Sequence, residues 1–144
     1  MKSKTFSILQ VFLWGVCAFH VIVGIGLNVS ASFPQTVAEY YGAQVAWTPE
    51  LLYIVKPVGA FMLALGALAG VAARDPLAHR AIVYGFVMLF TMRGLQRIVF
   101  QNEIGTALGI ESGRNIGNAL VFLLMAAALV FLLRAVGRSA GATT

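Results

Sequence analysis

Thr91-Met92-Arg93-Gly94-Leu95-Gln96-Arg97-Ile98-Val99-Phe100-Gln101 closes the third of four apolar segments and decides how the chain must be built. On a helix Arg93, Gln96 and Arg97 stand three and four residues apart, so they project from one face. An arginine held within a bilayer costs on the order of several kcal/mol unless it snorkels to the surface or finds partners. The remaining segments are therefore expected to be arranged around this one.

The composition is that of a membrane protein. Hydrophobic residues make up 60% of the chain and charged residues only 10%, with a mean hydropathy of +0.88. A soluble fold of this size has too little interior to hide so much apolar surface. Segments 6–28, 51–73, 81–100 and 116–133 each reach the roughly 20 residues that a helical span needs. Short connections join them, so the expected fold is all-α: one domain covering the chain, a bundle of four transmembrane helices with neighbours antiparallel.

The formal net charge of +5 does not describe a nucleic-acid surface, because the cations sit elsewhere. Lys2, Lys4, Arg74, Arg80, Arg134 and Arg138 flank the N-terminus, the second connection and the C-terminal segment. The first connection holds no Lys or Arg, and the third holds only Arg114. By the positive-inside rule both termini and the second connection are cytoplasmic. Lys2-Ser3-Lys4 before an apolar run resembles a signal peptide with a cleavage site after Ala31, but the run is longer than the usual h-region of ~7–15 residues. Retention of the first span is the preferred reading.

Local signals punctuate the connections. Pro34 and Gly42 bracket a short interfacial helix over 34–42, within an outer loop 29–50 rich in Phe33, Tyr40, Tyr41 and Trp47. This reads as an aromatic belt, with a lid over the bundle mouth as the sharper alternative. Thr48-Pro49-Glu50 is a helix start, with Thr48 as N-cap and Pro49 at the first helical position. Asp75-Pro76 reads the same way for the third span, with Arg74, His79 and Arg80 as headgroup anchors. Residues 101–114 read as a glycine-rich loop. The tail from Gly137 reads as irregular.

Depth then assembles a candidate site. At a rise of ~1.5 Å per residue, Lys56 and Arg97 lie roughly 6–10 Å below the outer helix ends, and Arg93 and His20 about 12 Å below. Tyr53 and Asn118 belong to the same outer third. Arg93, Arg97, Gln96, Lys56, His20, Tyr53 and Asn118 thus form a polar layer that only a bundle interior holds cheaply. Glu50 and Glu103 are the candidate counter-ions. If they leave the layer open, it binds a small amphipathic ligand, anionic or with a quinone-like or aromatic head. If they close it, the layer is internal glue in an accessory subunit.

Catalysis finds little support. There is no Ser/His/Asp set, no metal-ligand spacing, no phosphate loop and no histidine pair for a b-type haem. No cofactor or metal is expected, and an enzymatic role is disfavoured but open. Cys17, the single cysteine, reads as a packing residue. Transport by four spans without an inverted repeat would require oligomerisation. The glycine spacings Gly66/Gly70 and Gly113/Gly117 permit a homo-oligomer or docking in a larger membrane complex.

Arg74-Asp75-Pro76, His79-Arg80 and the aromatic helix ending in Arg93-Gly94-Leu95-Gln96-Arg97 resemble the BphX-like and DoxX-like small bacterial membrane proteins. The resemblance covers most of the chain as a four-span layout and rests on Arg93, Gln96 and Arg97. It implies the bacterial inner membrane. BphX-like proteins accompany gene clusters for degradation of aromatic compounds, and DoxX-like proteins include subunits linked to quinone-dependent sulfur oxidation. The resemblance therefore implies an aromatic or quinone-like ligand and an accessory redox role.

Overall fold

The computed structural model describes residues 4–141, with side chains through Arg138. Lys2 and residues 142–144 lie outside the described residues. The elements are α1 (Lys4–Val29), α2 (Phe33–Tyr40), α3 (Pro49–Arg74), α4 (Arg80–Val99), α5 (Gln101–Leu108) and α6 (Ser112–Gly141). Among the described residues all regular structure is helical. Helices α1, α3, α4 and α6 are long and apolar enough to cross a membrane, the pattern of a multi-pass membrane protein. Their outward faces carry exposed residues such as Val11, Phe61, Met88, Leu124 and Phe131, which suit lipid and would be costly in water.

Several elements follow from local chemistry. Thr48 Oγ1 accepts from Leu51 N at 3.3 Å and starts α3 with Pro49 at the first position. Helix α2 falls within the expected interfacial segment and stops before Gly42, whose φ of +83° lies in the left-handed region that favours glycine. Asp75 caps a turn, accepting from Leu77 N at 3.2 Å and Ala78 N at 3.1 Å, and α4 begins only at Arg80. The expected direct start at Asp75-Pro76 is thus displaced by one turn.

Two further expectations are corrected. Residues 101–108 are helix α5, and Gly109, at φ +64°, ends it as a left-handed cap. The glycines there suggested a loop, but Gly105 is tolerated inside the helix and Gly109 terminates it. At the other end α6 runs through Gly141, into the segment expected to be irregular from Gly137.

The bundle is built as two close helix pairs, α1 with α3 and α4 with α6, which meet over smaller α1–α6 and α3–α4 contacts. Along the first pair, Gln10 Nε2 donates to the carbonyls of Ala73 (2.9 Å) and Arg74 (3.1 Å). Cys17 lies against Gly70, Val21 against Gly66, and Gly24 against Gly59 and Leu63. The glycines allow the backbones to touch: a Cβ on Gly24 would sit 2.9 Å from both Gly59 O and Leu63 N. Gly94 plays this part between α4 and α6, against Leu123 and the Ala119 carbonyl.

A dry core of Leu9, Leu13, Val83, Phe86, Leu129 and their neighbours fills the half of the bundle nearer the chain termini. The buried polar side chains His20 and Asn115 lie in the other half, toward α2 and α5.

Candidate functional site

The α1–α3 seam decides which expected site residues face inward. Because Gly59, Gly66 and Gly70 must face α1, the Tyr53/Lys56 stripe is rotated away. Tyr53 is 70% exposed, and Lys56 is exposed as well. Neither joins the interior layer, and near the helix end Lys56 can extend its ammonium to the surface. The face expected from sequence placed Lys56 with Gly59; close backbone approach selected the other side of Gly59.

His20 is 3% exposed. Its Nδ1 donates to the Val16 carbonyl at 2.8 Å, which leaves Nε2 as an acceptor in the neutral ring. The imidazole meets Phe86 edge-on at 5.7 Å, Phe86 meets Phe90 at 6.1 Å, and Phe90 stacks on Phe122 at 6.4 Å. Arg93 then places its guanidinium over the Phe122 ring, 5.6 Å from the centroid. A continuous run of rings therefore links the α1 imidazole to the α4 cation. Such ring contacts contribute on the order of 0.5–1.5 kcal/mol each.

Arg97 is answered by Asn115 in both directions. Arg97 Nη1 donates to Asn115 Oδ1 at 2.8 Å, and Asn115 Nδ2 donates to the Arg97 carbonyl at 2.7 Å. Asn115 is 1% exposed. The Arg97 guanidinium also lies over the Tyr41 ring, 5.3 Å from its centroid, and Arg93 lines the same recess one turn earlier on α4. Arg97 Nε is fully buried and, among the described residues, has no hydrogen-bond partner.

The expected counter-ions do not arrive. Glu50 is exposed in the first turn of α3, and Glu103 is exposed on α5. Among the described residues neither carboxylate forms an ion pair with Arg93 or Arg97. The physical reason lies in the helix ends: Glu50 sits at the exposed start of α3, and α5 turns Ile104 and Leu108 toward the recess while Glu103 is exposed. Neutral amide and aromatic groups take the place of the carboxylates.

The α2 helix is fastened across this end. Arg114 Nη2 donates to the carbonyls of Glu39 (3.3 Å) and Tyr40, and Asn118 Nδ2 donates to the Tyr41 carbonyl at 3.4 Å. A cation at the last carbonyls complements the negative end of the α2 dipole. A side chain on Gly42 would collide with Arg114, a second reason for glycine there.

Below α2 lies a cleft of about 480 Å³ between α1 and α6. Phe12, Val16, Phe19 and His20 line it from α1, Phe90 from α4, and Asn118, Phe122 and Met125 from α6. Tyr40 and Tyr41 form its roof. Its surface is apolar and aromatic, with polar groups only from His20, Asn118 and the two tyrosines. On the α4–α5 side a separate recess of about 310 Å³ is lined by Arg93, Gln96 and Arg97 on one wall. Its other wall is Phe100, Ile104, Leu108 and Ile110. Among the described residues no group of three or more His, Cys, Asp or Glu side chains converges as metal ligands do.

The structure thus brings His20 and Asn118 to the cleft and Arg93, Gln96 and Arg97 to the recess, and leaves Tyr53, Lys56, Glu50 and Glu103 outside both. Asn115, Tyr41 and Phe122 are the partners missing from the sequence-derived layer. A signal for Asn115 was present: it lies one turn before Ala119, on the face that meets Gly94, and Arg97 lies one turn beyond Gly94. No protein-family model matches the chain, and comparisons with curated proteins and solved structures return no match.

Proposed function

We propose that this is a bacterial inner-membrane protein that binds a small amphipathic molecule with a quinone-like or aromatic head in the α1–α6 cleft. The spans run antiparallel with both termini in the cytoplasm, so α2, α5 and the cleft belong to the outer leaflet. The single observation that carries the reading is the cleft's composition: an aromatic floor, the His20 imidazole on one wall and an asparagine amide on another. A planar head packs against the Phe90 and Phe122 rings where they line the cleft, and its carbonyls accept from Asn118 and the tyrosine hydroxyls. The four-span likeness to BphX-like and DoxX-like proteins agrees with a ligand of this class. No bond-making step is assigned; binding, alone or within a larger complex, is the proposed activity.

The test is saturable binding of decylubiquinone, menadione and decyl benzoate to the purified protein in neutral detergent, read by thermal stabilisation. At least one ring-bearing compound is expected to bind, with about tenfold weaker affinity in His20→Phe and Asn118→Leu, the effect of roughly 1.4 kcal/mol. Wild-type protein that binds none of the three sinks the proposal.

A second reading has its own observation. The reciprocal Arg97–Asn115 bonds answer one intramembrane arginine from within the bundle, as expected of an accessory subunit whose arginines fix helix register. That reading requires the cleft to stay empty of ring compounds while both arginine variants lose the fold.

A further inference from the structure

We infer a second ligand site, independent of the cleft: the α4–α5 recess takes an acidic amphiphile, an oxyanion head on an apolar chain. The polar wall is one turn of α4, where Arg93, Gln96 and Arg97 face the recess together. Among the described residues no carboxylate lines it and none is paired with either guanidinium. Asn115 Oδ1 engages Nη1 of Arg97, whereas among the described residues the exposed Arg93 guanidinium has no hydrogen-bond partner. Two adjacent guanidinium groups repel each other unless an anion is shared between them, and the planar fork of arginine suits phosphate and carboxylate oxygens.

The opposite wall specifies the rest of the molecule. Phe100, Ile104 and Leu108 form an apolar shelf, which a free inorganic anion would leave uncovered. On α4 the neighbouring Leu95, Ile98 and Val99 are exposed and apolar, the surface along which an acyl chain lies in a bilayer. Head and chain thus meet the two halves of one 310 Å³ recess. The Tyr41 and Phe122 rings, on which the guanidinium groups rest, line the cleft, so an aromatic partition separates the two sites.

The experiment is native mass spectrometry of the full chain released from nanodiscs of equal phosphatidylglycerol and phosphatidylcholine. Two cations at about fivefold each give an expected preference of about 25-fold for the anionic lipid. Arg93→Gln, which leaves the Arg97–Asn115 bonds in place, should reduce this to about fivefold with the helical melt unchanged. Ile104→Trp, which fills the apolar half, should reduce retention of both lipids. Inorganic phosphate distinguishes the sources: binding of phosphate as tight as that of phosphatidylglycerol would reassign the recess to a soluble oxyanion and overturn the amphiphile. Displacement of the lipid by decylubiquinone would merge recess and cleft and overturn the claim of two sites. Equal retention of the two lipids by wild-type protein, or an unchanged preference in Arg93→Gln, also refutes it.

Discussion

Replacing Asn115 by alanine is expected to harm this protein more than replacing Arg97 by leucine, although the arginine is the charged partner. Asn115→Ala removes the acceptor of the 2.8 Å bond from Arg97 Nη1 and the donor of the 2.7 Å bond to the Arg97 carbonyl. In water-soluble proteins a bond to a charged group contributes about 1.5–3 kcal/mol and a neutral one about 0.5–1.5. Side-chain bonds in membrane proteins average nearer 0.6 kcal/mol, because the unfolded chain in the membrane also finds partners. These bounds place the cost of Asn115→Ala at about 2 kcal/mol, with a guanidinium left against an apolar wall. Arg97→Leu removes the cation along with its need for partners and keeps the Asn115 Nδ2 bond to backbone, leaving only the neutral Asn115 Oδ1 without its donor, a smaller cost than a stranded guanidinium. Its cost should stay under about 1.5 kcal/mol, including the lost contact with Tyr41. The assay is reversible unfolding in mixed micelles titrated with sodium dodecyl sulfate, followed by far-UV circular dichroism, for both single variants and the double variant. The cycle isolates the side-chain pair, with an expected coupling of about 1–2 kcal/mol. A larger cost for Arg97→Leu than for Asn115→Ala, or a coupling below about 0.3 kcal/mol, would refute the reasoning.

Other perturbations separate seam, lid and counter-ion. Gly24→Ala drives a Cβ to 2.9 Å from backbone atoms of Gly59 and Leu63 and should cost about 1–3 kcal/mol in the same unfolding assay. Gly85→Ala and Gly117→Ala, with nothing within 4 Å, should stay within about 0.5 kcal/mol of wild type. Arg114→Ala releases the last carbonyls of α2, and hydrogen exchange over 36–45 should rise up to about fivefold, as expected for a charge–dipole contact; unchanged exchange would show that α2 is held otherwise. Glu50→Gln and Glu103→Gln should shift the unfolding midpoint no more than loss of a carboxylate at an exposed helix start does, because neither meets an arginine; a drop as large as that of Asn115→Ala in either would restore the counter-ion model.

The helical class, the four apolar segments, the short helix α2 and the Thr48-Pro49 start of α3 were legible in the residues alone. Each depends on composition over one span or on bonds within four residues, so no tertiary knowledge is needed. The sequence also located Arg93, Gln96 and Arg97 on one face and placed a polar level near one end of the bundle. Tertiary structure decided what answers those cations. Depth along a helix is readable from residue number, but rotation about its axis is set by whichever face a neighbour can approach closely. On α3 that face is the glycine seam, which turned Lys56 and Tyr53 outward. On α4 it is Gly94 against Ala119 and Leu123, which carried Asn115 to Arg97 and brought Phe122 beneath Arg93. The arginines met an amide and two rings in place of two glutamates because backbone contact at glycine, not charge attraction, fixed the register of the helices.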